Sequence, residues 1–277
     1  MKPLTDEKRK DVFIIDDSLF DRSRSKKVEL LARVFVHCSM KYKSGFRLLT
    51  LGWLDGNSFV PVSYSLLSLQ RRRTCYAQPT SRWPFPFRKK ARQSRREATD
   101  VMVELSIQHN AQASQPDMCC STVVFFAPKT IMDLKKQEHF DTIAMMKKSK
   151  TKYTYQGERI NVKEIYSRNK KRKSHSRYLL SVSVDVEKDD ESIPVKPVYV
   201  RNKGNRKDYL VLISTDTQLS EEELIRIYGK RWDIEVFFKA CKSYLNFVKE
   251  YRGTSYDAMN AHVAIVFSRY VMLSVAQ

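Results

Sequence analysis

Four polar residues, Tyr228, Arg231, Glu235 and Lys242, are spaced so that one side of a helix carries all of them. At about 100° per residue they fall within a stripe roughly 60° wide, which borders the apolar positions of the same segment. The stripe holds an acid at the edge of the core between two cations and a phenol. Spacing alone leaves a simpler interpretation open, because an Arg231–Glu235 pair at i,i+4 is common on an ordinary half-exposed helix.

The helix that would position these residues is predicted to run from Ser220 to Tyr251. Ser220 followed three residues later by Glu223 forms a capping box. The three consecutive glutamates lie in the first turn, where the positive end of the helix dipole stabilises negative charge. Apolar residues recur on one side of the segment, at Ile227, Ile234, Phe237, Phe238, Cys241, Leu245 and Val248. The sequence therefore predicts one long amphipathic helix.

The spacing Tyr-x2-Arg-x3-Glu-x6-Lys and the flanking residues 225–239 resemble the DDE transposases of bacterial insertion sequences. The resemblance implies that Glu235 is the last of three metal-binding carboxylates. It also implies that Tyr228, Arg231 and Lys242 bind DNA phosphates.

The first strand is predicted at 12–15, an apolar and β-branched run that ends in Asp16, Asp17 and Ser18. Two acids at the end of a buried strand need an explanation, because an unpaired buried charge is costly. A turn or a helix N-cap is one explanation. The resemblance favours a metal-binding carboxylate, with Asp17 as the first choice and Asp16 as the second.

The fold class is predicted to be α/β. Strands are expected at 12–15, 46–54 and 58–67, a helix at 88–108, a strand at 121–127, a helix from Pro128 to about 137 and a strand at 142–146, with a loop at 22–43. This order resembles the ribonuclease H-like fold, a mixed sheet flanked by helices.

Three segments of the chain are expected. Residues 1–149 form the first part of the catalytic core, and 150–218 form an inserted antiparallel β-subdomain. That insertion contains a hairpin at 152–160 and strands at 178–186, 193–200 and 209–214. Residues 219–277 complete the core with the glutamate helix and a last helix at 255–276.

The resemblance fails at the second acid, because Val123 stands where the family has an aspartate before Pro128. Valine cannot bind Mg²⁺, which requires oxygen ligands, and neither Asp117 nor Asp133 lies at the right place. Residues 74–87 and 112–120 match no regular element. We hypothesise two short frameshifted segments, at roughly 70–87 and 106–124, since codons compatible with 115–122 can be read one base over as a strand with the missing aspartate.

The composition indicates a polyanionic partner, because the net charge is +20, with 51 Lys and Arg against 31 acids. A ribosomal or membrane-surface protein would also be basic. Five cysteines without a C-x-x-C pair or a His/Cys cluster argue against zinc and against a disulfide framework. No apolar run reaches the ~18 residues of a membrane span, and the N-terminus lacks a signal-peptide core.

By this resemblance the protein is expected to catalyse Mg²⁺-dependent strand cleavage and strand transfer at insertion-sequence ends. Two Mg²⁺ ions would be held by Asp17, Glu235 and the missing acid. The expected partners are double-stranded DNA and a second copy of the chain, away from membranes, in the bacterial cytoplasm at the nucleoid. Because of Val123, this copy is expected to bind DNA and to cut it poorly or not at all. A non-catalytic DNA-binding remnant and a different ribonuclease H-like nuclease are the alternatives.

Overall fold

The computed structural model describes residues 11–25, 27–36, 39–54, 58–68, 97–110, 118–121, 128–138, 141–172, 176–188, 191–202, 204–205, 208–248 and 251–275. These residues form a mixed α/β protein with two compact units. The first unit holds the described parts of Met1–Ile15, Leu54–Asn57 and Ile107–Trp232, and the second holds those of Asp16–Trp53, Ser58–Ser106 and Asp233–Gln277.

Within the described residues there are twelve strands and six helices. The strands are β1 (Val12–Asp21), β2 (Ala32–Val36), β3 (Lys41–Leu54), β4 (Phe59–Leu67), β5 (Met118–Ser121), β6 (Asp141–Met145), β7 (Lys152–Tyr155), β8 (Glu158–Asn161), β9 (Tyr178–Ser181), β10 (Val184–Lys188), β11 (Glu191–Arg201) and β12 (Tyr209–Ser214). The helices are α1 (Ala98–Asn110), α2 (Pro128–Glu138), α3 (Val162–Arg168), α4 (Glu221–Gly229), α5 (Trp232–Tyr244) and α6 (Tyr256–Val275).

The first unit contains a mixed array of strands. The start of β1 pairs in parallel with β5, from Val12 opposite Met118 to Ile15 opposite Ser121. β5 pairs in parallel with β6, and β6 pairs antiparallel with β12. The array continues antiparallel through β11 and β10 to the hairpin of β7 and β8, while β9 pairs with β11. The start of β1, from Val12 to Ile15, is apolar and fully buried, as expected of a central strand of such an array.

One helix of this unit was not predicted. α3 begins after Asn161, whose side chain accepts hydrogen bonds from the backbone of Lys163 and Glu164, and Glu164 completes a capping box. The fully buried Tyr199 donates a hydrogen bond from its hydroxyl to the carbonyl of Val162, 2.9 Å away, and so ties β11 to α3. This helix could not be predicted from the sequence pattern, because a segment of seven residues shows too little periodicity.

The second unit is built from the rest of β1 with β2, β3, β4, most of α1, α5 and α6. β3 pairs with β1, β2 and β4. Phe237 of α5 packs against Phe59 and against Phe267 of α6, with ring centroids 5.1 and 4.9 Å apart. Tyr256 at the start of α6 donates to the carbonyl of Leu66, 2.7 Å away. These aromatic and apolar contacts fix both helices on the strands.

Three predictions of secondary structure are wrong. Residues 22–43 contain β2 and the start of β3, where a loop was expected. β1 continues to Asp21, so Asp16 and Asp17 lie inside a strand and not at its end. The long helix is divided into α4 and α5, because the chain tightens at Lys230, whose N–H bonds the carbonyls of Ile227 and Tyr228.

Most of the other elements are confirmed. The helix at Pro128, the strand at 142–146, the hairpin at 152–160 and the strand at 209–214 lie within one or two residues of their predicted bounds. Ser220 caps α4, with its hydroxyl accepting from the N–H of Glu223. The predicted strand at 178–186 is two strands. The hairpin turn at 55–57, residues 122–127 and residues 69–96 lie outside the described residues.

α6 is long and apolar enough to cross a membrane by length and composition alone, a property that core helices of soluble proteins share. One side of α6 is buried in the second unit through Met259, Val263, Val266 and Phe267.

Candidate functional site

The acidic pair lies in the middle of β1, where Asp17 is held by an arginine. Arg47 of β3 donates from Nε to Oδ2 of Asp17 at 2.6 Å and from a terminal nitrogen to Oδ1 at 3.0 Å. The side chains of Arg47 and Asp17 are only 15% and 21% exposed. Both carboxylate oxygens of Asp17 are therefore engaged in a two-pronged, charge-assisted pair.

Asp16 differs from its neighbour in what it contacts. Its Oδ1 accepts a hydrogen bond from the backbone N–H of Asp17 at 2.8 Å, which orients the carboxylate along the strand. Successive side chains of a strand point to opposite faces, so Asp16 and Asp17 lie on different faces of β1.

Glu235 and Lys242 lie on α5, whose buried side consists of Ile234, Phe237, Phe238 and Cys241. Glu235 is half-buried in the first turn, where the helix dipole favours an acid, and Lys242 is in the last turn, where it favours a cation. Lys242 donates a hydrogen bond from Nζ to Oγ of Ser18 in β1. This contact joins residues 224 positions apart and places α5 beside the strand with the acidic pair.

The other two residues of the motif lie in the first unit. Tyr228 is in the last turn of α4, and Arg231 follows it, with its guanidinium carbon 5.8 Å from the centre of the Tyr228 ring. The second unit contains Asp16, Asp17, Glu235 and Lys242. Tyr228 and Arg231 therefore belong to the first unit, and Glu235 and Lys242 belong to the second.

Arg22, directly after β1, fixes the chain that follows α5. Its side chain is almost fully buried, and its two terminal nitrogens donate to the carbonyls of Tyr251 and Gly253 at 2.6 and 2.7 Å. The guanidinium also lies 5.3 Å from the centre of the Tyr251 ring. Burial lowers the pKa of Arg22, and the nearby Tyr251 partly opposes that shift.

The described residues do not complete a metal centre. No group of three or more His, Cys, Asp or Glu side chains is placed to hold a metal ion within the parts of the chain that the structure describes. Val123, the position of the expected second acid, and Asp117 both lie outside those parts, and Asp133 lies in α2.

The sequence argument missed Ser18, Arg47 and Arg22. A signal for Ser18 existed, since it lies two residues from Asp16 and so shares its face in any strand that continues past the acids. Arg47 and Arg22 gave no such signal, because a cation within or after a strand has no characteristic spacing.

Two family models match the chain. One, described as a transposase DDE domain, matches residues 124–272, more than half of the chain. The other, described as a DDE superfamily endonuclease, matches residues 1–106. No curated protein matches the sequence significantly.

Proposed function

The chain belongs to the DDE transposases, a nuclease-type enzyme family that acts on DNA, and from this premise we propose that it cleaves and transfers DNA strands at the ends of a bacterial insertion sequence. One observation carries the proposal. The hydrogen bond between Lys242 and Ser18 brings the helix with Glu235 to the strand with the acidic pair, although the two segments are far apart in sequence.

DDE-type nucleases generally use divalent metal ions, and we propose Mg²⁺, with two ions in an intact site. Glu235 and an acid of the Asp16–Asp17 pair, for which the resemblance favours Asp17, would be ligands. Mg²⁺ would supply stabilisation of negative charge on the reacting phosphate. The described acids are too few to hold two ions, so no catalytic step is assigned to the metal.

DNA phosphates are the proposed ligands of Lys242, Arg231 and Tyr228. Lys242 is suited to this role because its ammonium group is fixed beside the acidic pair by Ser18 and lies 5.9 Å from the centre of the Phe238 ring. A fixed cation positions a phosphate at a smaller entropic cost than a mobile one. The net charge of +20 supports the same partner through its attraction to polyanions.

The finer features of the family are also proposals. We assign the fold to the ribonuclease H-like class, which the parallel pairing of β1, β5 and β6 supports, and the sequence to the subgroup with the Tyr-Arg-Glu-Lys motif. Residues 1–149 and 219–277 would form the catalytic core and 150–218 an insertion. A homodimer on transposon ends and target DNA, in the cytoplasm at the nucleoid and away from membranes, completes the proposal.

The experiment compares DNA nicking and DNA binding in Glu235→Gln and in the matched Glu222→Gln, which changes an exposed glutamate of α4. Nicking of an insertion-end duplex in Mg²⁺ should be lost only in Glu235→Gln, because the amide keeps the shape of the side chain and loses its charge. Binding should be kept in both variants. Equal loss of binding and nicking in Glu235→Gln would show that Glu235 is structural.

A second candidate is a DNA-binding remnant without catalysis, which the sequence favours because Val123 cannot bind a metal ion. Under this alternative the unmodified chain binds the duplex tightly and produces no nicks in Mg²⁺. Under the first proposal it produces nicks, even if slowly.

A further inference from the structure

A surface pocket of about 350 Å³ opens in the second unit, between the C-terminal end of α5 and α6. Its volume lies within the range of pockets that bind small ligands. The lining consists of two phenols, an imidazole, an amide, a guanidinium and one aliphatic side chain, which are Tyr244, Tyr251, His262, Asn246, Arg269 and Leu245. None of these six residues is an acid, so the pocket carries hydrogen-bond donors and one permanent positive charge.

The pocket uses different side chains from the candidate site on α5. Glu235 lies in the first turn of that helix, nine residues before Tyr244, or about 14 Å along the axis. Lys242 is only two residues before Tyr244, but residues two apart on a helix do not face each other.

One wall of the pocket is a stack of rings. The imidazole of His262 lies nearly parallel to the Tyr251 ring, with centroids 4.3 Å apart. On Tyr251 the guanidinium of Arg22 also packs, 5.3 Å from the ring centre. Nε2 of His262 lies 2.9 Å from the carbonyl oxygen of Phe247. A carbonyl only accepts, so Nε2 donates and Nδ1 is left as the nitrogen that can contact a ligand. These contacts fix the wall in advance, which lowers the entropic cost of binding.

The end of α5 holds the amide of Asn246 in place. Asn246 has a left-handed backbone, with a φ of +52°. The N–H of Phe247 bonds the carbonyl of Cys241 at 3.2 Å, which is the six-residue closure of a Schellman motif. Asparagine tolerates this conformation better than most residues with a side chain, so the helix end positions a side chain with both a donor and an acceptor.

Arg269 supplies the charge of the pocket. Its side chain is exposed and makes no hydrogen bond or ion pair with any residue that the structure describes. The acid of its own helix, Asp257, is twelve residues earlier, or about 18 Å along the axis. An uncompensated guanidinium beside amide and phenol donors favours an anion with several acceptor oxygens, and phosphate is such an anion. The carbonyl end of α5 disfavours an anion, so the attraction depends on Arg269.

We infer that this pocket binds the phosphate group of a nucleotide, with Arg269 pairing with the phosphate and Tyr244 and Asn246 contacting the adjoining base. The Tyr244 side chain is 82% exposed, and an exposed aromatic ring provides a face on which a base stacks. The nucleotide is either free or part of a DNA strand, since the same chemistry recognises both. The inference goes beyond the proposed function, because it needs neither a metal ion nor strand cleavage.

The test measures binding of deoxythymidine monophosphate to the full chain by isothermal titration calorimetry, with thymidine as the ligand that lacks the phosphate. The variants are Arg269→Gln and Asn246→Gly, in which glycine keeps the left-handed backbone without strain. Arg252→Gln is the matched control, because Arg252 is exposed, follows Tyr251 directly and does not line the pocket. All three changes are at exposed positions and should leave folding unaffected.

Arg269→Gln should weaken nucleotide binding roughly tenfold or more, because it loses a charge-assisted bond, and Asn246→Gly should weaken it roughly threefold. Arg252→Gln should change it by less than about twofold. Thymidine should bind roughly tenfold more weakly than the nucleotide, because it cannot pair with Arg269.

Binding of the insertion-end duplex, measured over a range of salt, identifies the source of the nucleotide. If Arg269→Gln weakens duplex binding and flattens the slope of log K against log salt by about 0.9, the pocket holds a DNA strand. If only binding of the free nucleotide is lost, the pocket holds a free nucleotide. Failure of the unmodified chain to bind the duplex rejects the proposed function, and nucleotide binding that depends on Arg269 still supports the pocket.

Three results overturn the inference. The first is the absence of nucleotide binding by the unmodified chain together with unchanged duplex binding in Arg269→Gln. The second is an equal effect of Arg269→Gln and Arg252→Gln, which shows a general attraction to a basic surface. The third is thymidine binding as tight as that of the nucleotide, which shows that the phosphate is not the group recognised.

Discussion

The pair of Asp17 and Arg47 should contribute strongly to stability, and a double-mutant cycle measures that contribution. Both side chains are largely buried, and both oxygens of the carboxylate are bonded. Hydrogen bonds to charged groups contribute about 1.5–3 kcal/mol, and partial exposure favours the lower part of that range. We expect a coupling free energy of about 2 kcal/mol between Asp17→Asn and Arg47→Met.

The assay is urea unfolding of the two single variants, the double variant and the unmodified chain. Each single variant should lose about 2–3 kcal/mol of the free energy of unfolding, because the remaining partner is left partly buried without its bonds. That loss corresponds to a fall in Tm of about 4–10 °C for a chain of this size. The double variant should lose less than the sum of the two single losses.

The same face of the same two strands provides the control. Lys43 and Asp21 form a single contact at 3.3 Å, and their side chains are 45% and 32% exposed. An ion pair of that kind is worth at most about 1 kcal/mol. A coupling energy for Asp17 and Arg47 no larger than that of the control pair would refute the argument that Asp17 is committed to Arg47.

Three further predictions concern DNA binding, thiol chemistry and the second acid. Lys242→Ala should flatten the slope of log K for DNA binding against log salt by about 0.9, which corresponds to one phosphate contact. Lys239→Ala, at an exposed position of the same helix, should change that slope less. The same change of slope in both variants would show that Lys242 acts as an ordinary surface cation. Burial raises the pKa of Cys241 to about 12, so the neutral thiol is favoured in the folded state. Consider a variant in which Cys241 is the only cysteine. At pH 8 its folded form should react with a thiol reagent roughly a thousandfold more slowly than its urea-unfolded form. Similar reaction rates for the two forms would contradict the burial of Cys241. Val123→Asp alone should restore little nicking, whereas alternative-frame residues across 106–124 should restore more, because a displaced segment supplies the wrong strand register; strong nicking by the unmodified chain would make Asp117 the acid to test first.

Local signals predicted many of the elements. Proline at the first position of α2, the serine cap of α4 and the hairpin before α3 each depend on residues that are near in sequence, and each was found close to where it was expected. The apolar arc predicted for the glutamate helix is buried at Ile227, Ile234 and Phe237. The short helix α3 and the strand β2 were missed because segments of seven and five residues carry too little periodicity.

The division of the glutamate helix could not be read from its periodicity. The apolar pattern continues through Lys230 and Arg231 because each helix buries one side. Gly229 was the only local sign of an end, and glycine also occurs inside helices at a cost of about 1 kcal/mol. The motif therefore has continuous spacing in sequence and two separate helices in the structure.

The choice between Asp16 and Asp17 shows why a candidate site needs long-range information. Adjacent residues of a strand face opposite sides, so moving a role by one position reverses the face on which it acts. The sequence records that the two acids are adjacent, and it does not record which face a helix more than 200 residues later will cover. That fact is fixed by the contacts of Ser18 with Lys242 and of Asp17 with Arg47. A sequence motif that requires an acid therefore does not say which acid is meant where two acids are neighbours in a strand. The contacts on the two faces of that strand distinguish the two residues.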